Sequence, residues 1–146
     1  AENEVLVRDD NGSLVNPYDI AIKDQIIAIA DGEEGIKLLN DDGSVSPLAT
    51  TSFLFKETQG VAFDTRSDNL LVFDTALDGI YRVDITTGDA TPVFTQLGST
   101  GFNWGGINIH DNGNIQRVVV SVTAADRVLV FSAPDAIFQD QFETTP

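Results

Sequence analysis

The chain has 146 residues, 42% hydrophobic, with 23 Asp+Glu against 8 Lys+Arg, a formal net charge of −15, one histidine and no cysteine. That charge repels phosphate backbones and anionic lipid, so no nucleic-acid partner is expected and membrane-surface docking starts from a poor position. The missing cysteines remove disulfide frameworks, thiol catalysis and Cys-ligated metals, and a lone His110 removes any multi-histidine cage.

The length fits one domain that buries roughly two-thirds of its unfolded surface, enough for a core without staples. The polar start Ala1-Glu2-Asn3-Glu4 lacks an initiator methionine. This predicts a chain that begins after a processing event such as removal of a secretory signal, although a boundary inside a longer secreted protein would read the same way. No apolar run approaches the ~18 residues that span a bilayer, so no membrane insertion is expected. The acid excess suits cations, basic partners or very salty water, in which the repulsion is screened.

In chain order the apolar runs are short: Val5-Leu6-Val7, Ile20-Ala21-Ile22, Ile26-Ile27-Ala28-Ile29, Leu70-Leu71-Val72-Phe73, Val118-Val119-Val120 and Val128-Leu129-Val130-Phe131. Polar turn formers follow each of them, and no window sustains a helical i, i+3, i+4, i+7 pattern. The chain therefore reads as all-β. Asp10-Asn11-Gly12, Asp42-Gly43, Thr87-Gly88 and Asn112-Gly113 supply the residues that tight turns need at positive φ.

Three stretches align as an internal repeat. Residues 16–48, 58–97 and 103–133 each hold two apolar strands and then a third strand, opened by Glu34-Gly35-Ile36, Asp78-Gly79-Ile80 and Asp126-Arg127-Val128. Ile36 to Ile80 is 44 positions and Ile80 to Val128 is 48, near the ~40 to 50 residues of a four-stranded propeller blade. Residues 4–15 resemble the last two strands of a preceding blade, and 134–146 form a tail. The predicted architecture is a single all-β domain, a β-propeller-like array of four-stranded antiparallel blades; a β-sandwich with regular hairpins shares the same pattern.

The strings Pro17-Tyr18-Asp19-Ile20-Ala21-Ile22, Gln59-Gly60-Val61-Ala62-Phe63-Asp64, Leu70-Leu71-Val72-Phe73-Asp74 and Gly79-Ile80-Tyr81-Arg82-Val83-Asp84 resemble the repeats of NHL-type and related bacterial propellers. The resemblance covers roughly residues 16 to 133 and implies a repeat class, not an activity. Asp19 stands where that pattern has glycine, and Val122 replaces the aspartate that ends the second strand. The tail Ile137-Phe138-Gln139-Asp140-Gln141-Phe142-Glu143 is similar to an ending found on many secreted proteobacterial proteins, with Gln141 in place of a glycine. A secreted or cell-surface bacterial protein is the location this implies.

About three and a half blades cannot close a ring that takes roughly four to eight. The chain is then a piece of a longer propeller, pairs with a second copy or another propeller-forming chain, or stays an open array; the apolar inner face left exposed in a half ring is an association surface.

Candidate chemistry is sparse. His110, in Ile109-His110-Asp111-Asn112-Gly113, reads as a solvated hairpin-tip residue, and Gly105-Gly106 as close strand packing. The acidic turns around Asp9 and Asn11 and around Asp41 and Asp42 group hard oxygen donors suited to calcium, or are simply Asx-rich turns. Asp31 and Asp74 end second strands, where they either offer ligand groups or cap backbone N–H groups of the following loop. Tyr18 and Trp104, with Phe102 nearby, precede first strands and could stack on a sugar or peptide, or pack between blades. The expected function is a secreted non-enzymatic binding or assembly module. Two alternatives are a structural subunit of an extracellular fibre or sheath, and part of a gluconolactonase-like metal-dependent hydrolase, for which Asp31, Asp74 and Asn108 could supply ligands.

Overall fold

The computed structural model describes residues 12–51, 54–100 and 105–133. β1 (Asp19–Lys23), β2 (Ile26–Ala30), β3 (Ile36–Leu39) and β4 (Val45–Pro47) form the first sheet. β5 (Thr58–Phe63), β6 (Asn69–Asp74), β7 (Gly79–Asp84) and β8 (Ala90–Thr95) form the second. β9 (Gly105–Asp111), β10 (Gln116–Val122) and β11 (Arg127–Ala133) form the third, with one 3-10 turn at Thr123–Ala125. Each sheet is an antiparallel meander in chain order, and among the described residues none closes into a barrel. The fold is all-β.

The β-branched runs take the extended conformation because it frees their stiff χ1, and the turns between them fall where the chain carries Gly, Asp or Asn. Gly43, Gly88 and Gly113 have φ of 81°, 76° and 89°, as the predicted turns require. Asp78 and Asp126 also sit in the left-handed region just before β7 and β11, at φ 52° and 50°. Short Asp side chains tolerate that conformation.

Strand register puts the sheets in one frame. Asp19 pairs with Ala30, Gly60 with Phe73 and Gly106 with Ser121, and these partners pair in turn with Ile36, Ile80 and Val128. Asp19, Gly60 and Gly106 are therefore equivalent positions, as are Ile20, Val61 and Ile107.

The second sheet is covered on both sides. One face, with Val61, Phe63, Leu70, Val72 and Val83, packs on Ala21, Ala28, Ala30 and Ile36 of the first sheet. The opposite face, with Ala62, Leu71, Phe73 and Ile80, packs on Ile107, Val118, Val120 and Val122 of the third. The run Leu70-Leu71-Val72-Phe73 is thus apolar without alternation because both its sides are interior, each residue contributing about 1.5–3 kcal/mol of burial.

The first strands β1, β5 and β9 lie side by side. A Cβ on Gly60 would come 3.0 Å from Cγ2 and 3.1 Å from N of Ile107, so glycine lets β5 and β9 approach closely.

Candidate functional site

Asp31 and Asp74, both fully buried, are spent on backbone donors. Asp31 Oδ1 accepts from the N–H groups of Val15 and Asn16 at 3.0 and 2.8 Å. Asp74 Oδ2 accepts from Lys56 and Glu57 at 2.8 and 3.0 Å, and Oδ1 accepts from Leu77 at 2.8 Å. Each carboxylate therefore holds the segment that leads into the first strand of its own sheet. An acceptor is needed there because a buried N–H without a partner is costly. Val122, in the corresponding place of the third sheet, has no acceptor and joins the apolar core.

Ion pairs tie successive hairpins together where first strands turn into second strands. Lys23 Nζ reaches the carbonyl oxygens of Asp64 and Ser67, and stands 3.2 Å from a carboxylate oxygen of Asp68. Arg66 grips Asp111 with Nε and Nη2 at 2.6 and 2.7 Å, and Thr65 Oγ1 and the Gly113 N–H donate to the same carboxylate. The Arg66 guanidinium, helped by those two donors, holds the Asp111 carboxyl far below the usual carboxylate range. Behind this pair, buried Gln116 donates Nε2–H to Asp64 Oδ1 at 2.6 Å and to Thr65 Oγ1 at 2.8 Å.

Asp42 Oδ1 accepts from the N–H and hydroxyl of Ser44, and Asp84 Oδ1 accepts from the N–H groups of Thr86 and Thr87, so both carboxyls are pulled below their usual value by these bonds. Asp41 lies exposed beside Asp42 at the tip of the β3–β4 hairpin. Asp9 and Asn11 lie outside the described residues. Among the described residues no three His, Asp or Glu side chains converge as an ion would require.

An open cleft of about 420 Å3 lies against the outward face of the third sheet, lined by Gly106, Asn108, Ser121 and Val128 and bounded by Tyr18 and Asp19. Burial pushes the Asp19 carboxyl above its usual value, although the Val61 N–H, 3.1 Å from Oδ2, and the Ile20 N–H, 2.9 Å from Oδ1, pull the other way. Of the aromatic candidates, Tyr18 borders this cleft, while Trp104 and Phe102 lie outside the described residues. His110 is not at a hairpin tip: β9 continues through Asp111, and His110 is an exposed strand residue opposite Arg117. The turn begins only at Asn112, whose Oδ1 accepts from the N–H groups of Asn114 and Ile115.

The polar seam of Asp64, Arg66, Asp111 and Gln116 was not visible in the sequence, since its members lie up to 52 positions apart. The position of Asp19 did carry a signal: it breaks a glycine position of the repeat, and its carboxylate bridges to the next first strand. No helix among the described residues is long and apolar enough to cross a membrane. No family model matches the chain, and no curated protein matches it, so any reading of its function rests on this geometry.

Proposed function

We propose that the chain is a section of a propeller-like array of NHL-type blades, a secreted non-enzymatic module for binding or assembly that completes its ring by self-association or with another chain. One observation carries this reading. Residues at equivalent register positions are buried inside the stack and bare at its ends: Val61 is 2% exposed and Ile20 is 59% exposed. Ile22 at 62%, and Val128 and Val130 at 62% and 56% on the opposite end, extend the two bare patches. Apolar residues gathered on an outward sheet face mark an interaction surface. The repeated register and the adjacent first strands support the blade interpretation, because each sheet presents the same face to its predecessor.

The test is fluorescence of an apolar-surface dye, measured together with mass by light scattering over a range of protein concentration. Association, or a monomer that binds the dye strongly, is the expected result. A monomer that binds no dye would show that the chain caps its own end faces, and would overturn the reading.

A further inference from the structure

We infer that the bare face of the third sheet receives the first sheet of a second copy of this chain, so that two copies close one ring of six sheets. This inference rests on the reading above and commits it to one partner.

Two sheet-to-sheet contacts are present within the chain. They are the same contact made twice. In the first, Asp19 faces β5 and its carboxylate accepts from the N–H of Val61. In the second, Gly60 faces β9 so closely that an added Cβ would stand 3.1 Å from the N of Ile107. Position for position the next member of the series is Gly106, and the residue equivalent to Val61 and Ile107 is Ile20. Ile20 is bare in β1, and Gly106 faces the open cleft, where an added Cβ would meet only Ser121 Oγ at 3.7 Å.

The rest of each face follows the same order. Phe63 covers the first sheet and Ile109 packs against the second; their equivalent Ile22 is 62% exposed. Ile36 and Ile80 receive a following sheet; their equivalent Val128 does not. Ile29 and Lys37, the register equivalents of Val72 and Tyr81, are already buried within the chain, so the second copy meets the first sheet at β1 alone.

A head-to-tail contact either closes or continues without end. With a twofold axis each copy offers its third sheet once and its first sheet once, and the three sheets of the described residues in each copy then add up to six, within the roughly four to eight blades at which small propellers close.

The experiment is sedimentation velocity on the full chain, using wild type, Ile20→Lys, Val128→Glu, an equimolar mixture of those two variants, and Gly106→Val. The wild type should be a discrete dimer. Each single variant should be a folded monomer by circular dichroism, with self-association weakened at least about tenfold, since each puts an unpaired charge into both contacts. The mixture should restore the dimer: one of its contacts then holds a Lys–Glu pair and the other is wild type in both partners. Gly106→Val has room in the isolated chain, and should therefore keep the fold and lose the dimer. A wild type that stays monomeric while binding the dye overturns the second copy and leaves the association reading intact. A monomer that binds no dye removes both. Dimers that survive all three substitutions, or a mass that grows without limit with concentration, overturn this contact and its closure respectively.

Discussion

The middle sheet and the two end sheets are built from the same repeat, yet they meet different surroundings. Val61 and Ile20 share a register position, a β-branched side chain and the same side of their sheets, and differ in what lies opposite. Val61 packs into the core shared with the first sheet, whereas Ile20 is 59% exposed. Burial here belongs to the stack and not to the residue, as in any array whose units bury their faces only against neighbours.

The sharpest way to break that comparison is at the centre. Phe73→Ala removes a fully buried ring from between the second and third sheets and should lower unfolding free energy by about 3–5 kcal/mol, read by chemical denaturation. Asp74→Ala should follow at about 2–3 kcal/mol, since three N–H groups, on Lys56, Glu57 and Leu77, lose their acceptor together.

The comparison itself is tested by a matched pair. Val61→Ala should reduce stability by about 2 kcal/mol, while Ile20→Ala, measured at concentrations where the chain is monomeric, should stay within about 0.5 kcal/mol of wild type. Equal losses at the two positions would mean that Ile20 is covered within a single chain.

The smallest effect is at the seam. Asp111 has its folded pKa depressed, so it adds stability that is fully present above the ordinary carboxylate pKa and is lost as pH falls through that range toward the folded value. Asp111→Asn should therefore melt slightly below wild type at neutral pH, with the gap narrowing in acid. A gap that widens on acidification would show that the Arg66 pair is not its cause. Asp19 has the opposite sign. Its raised pKa makes ionisation unfavourable to the fold, so Asp19→Asn should show a smaller loss of stability than wild type as pH rises from the acid range to neutrality.

Much of the fold was legible because it is local. Short apolar runs followed by polar turn formers marked Ile26–Ile29, Leu70–Phe73 and Val128–Phe131, and all three lie within observed strands. The fourth strands were less readable. β4 is three residues long and ends in Pro47, and β8 carries Pro92, where its register with β7 shifts, so neither presents a clean apolar run. A cap of the following loop was legible at Asp31 and Asp74; Asp74 makes it through the Leu77 N–H, but both carboxylates also hold the segment 15–18 positions earlier, which no local pattern records.

By itself the sequence determined the strand class, the repeat and its turns, because these depend on side-chain shape and spacing along a few neighbouring residues. Only the tertiary structure decided which apolar faces are interior. A strand's own pattern records that a side is apolar; whether another sheet stands there depends on how far the stack extends, and in this chain it leaves Ile20, Ile22, Val128 and Val130 bare.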